Sequence, residues 1–316
     1  MLKNDAYEAH GDKAAPSGDT RQTPNDRTTT LPDPAIVVVK PEKLTSPAIF
    51  ASPHSGRAYP TDLIEAARLD PLSLRRSEDG FVDEIFQDAP AAGSPLLCAL
   101  FPRAYVDVNR EAFELDPRMF ADPLPSYVNS RSTRVAAGLG AIPRIVAEGA
   151  EIYRRKLTFA EAKRRIQRCH TPYHAALTRL IDAAKTAFGG AIVIDCHSMP
   201  SCGGVGDGAG GPSAADIVLG DRYGGACAAA VTDLAEQTLS GLGYRVARNA
   251  PYAGGYTTSH YGKPDKGVNA LQIEINRGLY MDESAMRLLP GFANVRADMR
   301  KLIDTLGAVD ISTLNR

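Results

Sequence analysis

Two of the six histidines, His54 and His197, each follow a short apolar run. Ile49-Phe50-Ala51 leads into Ser52-Pro53-His54, and Ile192-Val193-Ile194 leads into Asp195-Cys196-His197. Neutral imidazole is the commonest metal ligand, and a strand end gives it a rigid mount. A catalytic zinc takes three protein ligands and keeps one position open for water. The sequence offers a carboxylate for the third place: Asp79 in Ser77-Glu78-Asp79-Gly80, with Glu78 as its rival. The competing reading makes each histidine a loop residue and Asp79 the N-cap of the helix that begins there. Asp195 lies two residues before His197, on the same side of a strand. It either fixes the imidazole from behind or makes a local hydrogen bond of its own.

Glu274 stands inside Leu271-Gln272-Ile273-Glu274-Ile275, and a carboxylate within an apolar strand needs a reason, because burying an unpaired charge is costly. Alternation puts Gln272, Glu274 and Asn276 on one face, the wall of a polar pocket. Glu274 is then a general base for an activated water, or one half of a structural ion pair with an arginine. Arg103, Arg110 and Arg277 each lie near a strand end. Guanidinium forks grip carboxylates bidentately, so their convergence would suit a carboxylate-bearing substrate. Gly206 to Gly211 fits GxGxxG in form, but Pro212 and an apolar run follow it where a helix should start, so a loop is expected. Cys196 and His197 are no dyad, since neighbours on a strand face opposite ways.

Positioning these groups falls to apolar runs at 36–39, 47–51, 95–101, 103–108, 191–195, 216–219 and 270–275, read as strands. Helical periodicity occupies 61–69, 80–88, 158–187, 223–241 and 283–306. Strands alternating with helices predict a three-layer α/β domain with a mixed central sheet, spanning residues 35–316. In such sheets ligands gather beyond the carboxyl ends of the strands, where the polar clusters of this chain fall. Residues 1–34 carry almost no large apolar side chains and read as a disordered tail.

Among the 316 residues, 36 Lys and Arg balance 37 Asp and Glu, which argues against a nucleic-acid partner. The basic runs Arg154-Arg155-Lys156 and Lys163-Arg164-Arg165 read as solvated helix faces. No apolar run approaches the ~18 residues that span a bilayer, so no membrane partner is expected. Five scattered cysteines, Cys98, Cys169, Cys196, Cys202 and Cys227, suit reduced thiols and a cytoplasmic protein.

The chain resembles the N-formylglutamate amidohydrolase family. The resemblance lies in Ser52 to Pro60, Glu78-Asp79-Gly80-Phe81-Val82-Asp83-Glu84, Arg103 to Arg110, Asp195 to Pro200, Asp216 to Asp221, Pro251 to Tyr256, and the run from His260 to Tyr280. It covers about residues 47–305 in order. That family is similar to the zinc carboxypeptidases, with a phosphorylase/hydrolase-like fold. The resemblance implies one divalent metal, zinc, held by His54, the acidic residue of Glu78-Asp79, and His197. It implies Glu274 as the base, with Arg103 or Arg277 stabilising the oxyanion. Asn109 and Arg110 would clamp a substrate carboxylate, with Arg277 and Tyr256 among the substrate contacts. The substrate implied is a small N-acyl amino acid, the alternatives being a related amidase or esterase or an inactive binding homologue. One departure stands out: where carboxypeptidases carry their acidic ligand, three residues after the first histidine, this chain has Arg57.

Overall fold

A computed structural model describes residues 30–146, 149–201 and 215–314. Seven strands form one sheet: β1 (Ile36–Val39), β2 (Ala48–Ser52), β3 (Leu96–Ala99), β4 (Ala191–Met199), β5 (Ile217–Gly220), β6 (Val246–Arg248) and β7 (Val268–Asn276). Their order is β1-β3-β2-β4-β7-β5-β6. The four central strands β3, β2, β4 and β7 run parallel, with β1 antiparallel at one edge. On the other side β5 runs antiparallel to β7 and carries β6 parallel beside it. The result is an α/β fold of three layers around a mixed sheet.

Side-chain alternation sends each central strand into two cores. Ile49, Leu97, Val193 and Ala270 meet Tyr173, Leu177, Ile181 and Ala184 of the helix Thr171–Phe188. Phe50, Leu96, Ile192, Ile194, Leu271 and Ile273 meet Val295, Met299 and Leu302 of the helix Phe292–Gly307, and Val231 and Leu239 of the helix Ala229–Gly241. With both faces covered, every residue of β4 and β7 is buried, including the polar side chains that interrupt their apolar runs.

The expected helix over 158–187 forms in three pieces. Thr158 opens it with a reciprocal capping box to Glu161, a π-helical turn fills Ile166–His170, and Gly189 at φ 80° closes it. The expected helix over 283–306 starts only at Phe292, because Met281–Asp282 and Arg287–Leu288 pair first as a small hairpin.

Four expectations fail. Residues 103–108 form no strand but turns and irregular chain, because this segment leaves the sheet to carry polar side chains toward the strand ends. Arg154, Arg155 and Lys156 lie outside any helix. Arg165 is no solvated residue: it is 2% exposed, stacked over Tyr105 at 4.3 Å and bonded to the Tyr153 hydroxyl at 2.8 Å. A buried guanidinium costs several kcal/mol unless its surroundings compensate, and here two aromatic rings and Asp62 at 3.8 Å do so. Packing also begins before residue 35, since Leu31 is buried and its carbonyl accepts a hydrogen bond from Arg168 at 2.6 Å. The remainder of the predicted tail, residues 1–29, and the Gly206 to Gly211 loop lie outside the described residues. Among the described residues, Cys98, Cys169, Cys196 and Cys227 are buried and free, and no helix is long and apolar enough to cross a membrane.

Candidate active site

The face of β4 and β7 that packs on the helix Thr171–Phe188 changes character toward the strand ends. Val193 and Ala270 pair low on that face, then Asp195 with Gln272, then His197 with Glu274. Apolar side chains serve where the helix covers the sheet, and polar ones begin where a cavity opens. That cavity measures about 980 Å³, and its lining includes His197, Glu274, Arg103, Arg110 and Arg277.

His54 enters two residues after the end of β2, and Asp79 precedes the short helix Val82–Ile85. The Asp79 backbone is held from both directions: its N–H donates to His54 O at 3.1 Å, and its carbonyl accepts from Ser55 Oγ at 2.7 Å. The chain turns into the helix through Phe81, at φ 63°. Asp79 is therefore no side-chain cap; Phe81 holds the N-cap position. Its Oδ2 lies 3.2 Å from His54 Nδ1 and 2.9 Å from His197 Nδ1. One ligand atom from each of the three residues falls within 4.8 Å of the others, and all three residues are buried. Glu78 points elsewhere, accepting from the Tyr59 hydroxyl at 2.6 Å and from Arg75 Nε at 3.0 Å. Arg57 binds Asp83 at 2.6 Å and Glu84 at 2.7 Å, away from this group.

The outer nitrogens of both rings meet carboxylates. His54 Nε2 lies 2.8 Å from Asp107 Oδ1, and His197 Nε2 lies 2.9 Å from Asp195 Oδ2. A proton on Nε2 of each ring would rest on these carboxylates and free Nδ1, the nitrogen that faces Asp79, for a metal, the arrangement usual in metal-ligating histidines. Two imidazole nitrogens and one carboxylate oxygen form a donor set that suits a divalent metal and leaves a coordination place for water. The charge balance agrees. Burial acts against a charged His197, yet the carboxylates of Asp195, Asp79 and Glu274 raise its pKa well above the usual value, so the spot attracts positive charge. Burial likewise acts to raise the carboxyls of Asp79 and Asp107, but hydrogen bonds from the histidines to Asp79, and Arg103 and Arg110 beside Asp107, hold both well below the ordinary range.

Glu274 is buried, and that burial pushes its carboxyl up to about 7, with His197 opposing and Asp79 reinforcing the rise. Its Oε1 accepts from Gln272 Nε2 at 2.8 Å. No arginine binds it directly among the described residues, so the structural ion pair does not form. Arg277 instead donates to Asp79 Oδ1 at 2.9 Å and to Ser198 Oγ at 2.9 Å. Arg103 donates to Asp107 Oδ2 at 3.0 Å.

Arg110 lines the cavity, with Nε on the Leu139 carbonyl at 2.9 Å and one terminal nitrogen on the Asn109 carbonyl at 2.8 Å. Asn109 is more committed than expected. Its amide nitrogen lies 3.1 Å from both Asp195 Oδ2 and His197 Nε2, and its amide oxygen accepts from Thr257 N at 2.8 Å. Gly255 packs so closely that a Cβ there would stand 2.3 Å from that amide. Tyr256 does not line the cavity: it stacks on His260 at 4.9 Å, and Tyr252 takes a place in the wall.

Sequence reasoning gave Asp107 no role of its own. The available signal was a charged residue set between Val106 and Val108, both fully buried. It also missed His170 and His174, one turn apart, whose Nε2 atoms meet the carbonyls of Arg110 at 2.9 Å and Val108 at 2.8 Å. Burial pushes His174 down to about 3, so it stays a neutral donor. Together they fix a segment without regular structure that carries Asp107, Asn109 and Arg110.

Comparison with known proteins places the fold and the family. A structure of N-formylglutamate amidohydrolase from Ralstonia eutropha superposes with a TM-score of 0.82 at 37% identity, covering 88% of this chain and 99% of its own. A structure from Agrobacterium tumefaciens, 18% identical with a TM-score of 0.56 over 89% of this chain and 96% of its own, shares the fold. The N-formylglutamate deformylase of Pseudomonas aeruginosa is 27% identical over 76% of this chain and 84% of its own length. That of Pseudomonas putida is 28% identical over 75% and 83%. The family model for N-formylglutamate amidohydrolase matches residues 46–281. That span contains His54, Asp79, His197 and Glu274 with every partner named around them, and the chain belongs to the N-formylglutamate amidohydrolase family.

Proposed function

We propose that this chain hydrolyses N-formyl-L-glutamate to formate and L-glutamate, with one divalent metal, zinc, held by His54, Asp79 and His197. The observation that carries the reading is the convergence of those three ligand atoms within 4.8 Å, at the cavity that His197 and Glu274 line. The relatives named as deformylases and the matching family model supply the substrate.

When bound, the metal supplies a Lewis acid for the amide carbonyl and acidifies water. Glu274 does the proton work. It takes a proton from the attacking water as the water oxygen bonds to the formyl carbon, and delivers it to the amide nitrogen as the C–N bond breaks. Burial raises its pKa above the ordinary carboxyl range, toward neutrality, which suits a group that must both accept and return a proton. Arg103 stabilises the charge that develops on the carbonyl oxygen. Arg110 grips a carboxylate of the amino acid, Arg277 keeps Asp79 aimed, and Asn109 serves mainly to orient His197 and Asp195.

The experiment is formate release from N-formyl-L-glutamate by protein of measured metal content. Turnover that tracks metal content is the expected result. A folded, metal-replete protein that releases no formate overturns the reading.

A further inference from the structure

The cavity holds more arginine than one carboxylate requires. Arg103 is bound to Asp107 at 3.0 Å, Arg277 to Asp79 at 2.9 Å, and Arg76 also has a partner. Arg134 differs. It sits half-buried in the cavity wall on the short helix Thr133–Ala136, and its guanidinium has no carboxylate partner among the described residues.

Its neighbour is Arg110, and the two are tied through one turn. Arg110 Nε donates to the Leu139 carbonyl at 2.9 Å, and Leu139 N–H donates to the Arg134 carbonyl at 2.8 Å. The turn that bears Arg134 is therefore fastened to Arg110. Burial lowers the pKa of Arg110, Asp107 opposes that fall, and the positive charges of Arg103 and Arg134 add to it. Asp107, at 3.8 Å, is the nearest carboxylate to Arg110 and is already shared with Arg103 and His54. Beside the pair the wall is apolar, formed by Leu139, Pro143, Ile145 and Val146.

Two neighbouring guanidiniums short of carboxylates, with apolar side chains in the wall beside them, fit a dicarboxylate joined by methylenes. From this geometry we infer that Arg134 is a specificity-determining residue that binds the side-chain carboxylate of the substrate while Arg110 binds the α-carboxylate. The inference rests on the N-formylglutamate reading and assigns it a selectivity: acidic side chains are accepted, and their neutral amides are discriminated against.

The test crosses enzyme and substrate. Wild type and Arg134→Gln are assayed on N-formylglutamate and N-formylglutamine, with Arg134→Lys as the charge-keeping variant. Arg134→Gln should lose on the order of 10- to 100-fold in kcat/KM on N-formylglutamate and only a few-fold on N-formylglutamine. Arg134→Lys should recover part of the loss. An equal loss on both substrates overturns the inference while leaving the hydrolytic function standing. Glutarate and butyrate binding, followed by calorimetry on the same proteins, reads the anion pair without any turnover. Wild type should prefer glutarate, and Arg134→Gln should lose that preference. If neither amide is hydrolysed yet the glutarate preference behaves so, the functional reading fails and the subsite survives. An unchanged preference in Arg134→Gln rules the subsite out.

Discussion

His54 Nε2 and Asp107 Oδ1 stand 2.8 Å apart, on the side of the imidazole ring away from Asp79. Asp107 thereby offers an acceptor for a proton on Nε2, which frees Nδ1, the nitrogen facing Asp79, for a metal. Asp107→Asn can offer an amide that flips, and it removes the charge that strengthens the ring as a donor. Metal affinity in Asp107→Asn should fall by about 10- to 100-fold, with the fold intact by circular dichroism. Competition against a chelator of known affinity measures this, and an unaltered affinity would show that Asp107 serves only the loop.

Asp79 and Glu78 should separate cleanly. Asp79→Ala removes a group in contact with both histidines, so metal content per chain should drop toward zero. Glu78→Ala should keep its metal but lose stability, about 3–5 kcal/mol, because Arg75 and the Tyr59 hydroxyl are left without their buried acceptor. Metal analysis and urea denaturation on the same two preparations decide between the roles.

Glu274→Gln keeps the size of the side chain and still accepts from Gln272, but it cannot pass a proton. Turnover should fall by on the order of 100-fold to 10,000-fold, with metal content and melting temperature nearly unchanged. Near-normal kcat in the folded, metal-loaded variant would remove Glu274 from the proton path.

Far from the cavity, Glu161 offers a pH-dependent contribution to stability. Hydrogen bonds from Arg155, then from Thr158, hold its pKa down to about 2, below the ordinary 4.5. The ionised form is favoured by the fold, so its contribution is full above the unfolded value and fades as pH falls through the folded one. Glu161→Ala should cost about 0.5–2 kcal/mol near neutrality, the worth of a helix cap. The gap between the two proteins should narrow below pH 4.5 and close near pH 2, as followed by thermal melts across that range.

Much of this site was legible because polar residues interrupt apolar strands. Asp195, His197, Gln272 and Glu274 declare themselves in that way, since a polar residue buried in a strand needs a partner or a task. Asp79 was half legible: the pair Glu78-Asp79 marks the place, but only the direction of the chain at Phe81, with its left-handed backbone, decides which carboxylate faces the histidines. Residues 103–108 misled because valines that bury a loop look like valines that build a strand. Arg165 misled because its neighbours on the helix are solvated while its own contacts, Tyr105 and Tyr153, come from distant segments. Tyr256 was drawn to the site by its place in a matching segment, whereas the helix Tyr256–Tyr261 turns its ring onto His260.

The parallel ladder that aligns the site also governs when it can exist. Joining β2 to β4 brings Ala48 against Ile192, and joining β4 to β7 brings Ala191 against Val268. Such pairings close long loops of chain before they yield any contact, which makes them slow steps in folding. The bond between Arg277 and Asp79 spans 198 residues. No local segment holds two of the three convergent ligand atoms, so the unfolded chain does not present this cluster. A ligand of this cluster therefore arrives after the sheet is built and stabilises only the finished fold, by an amount that grows with its free concentration.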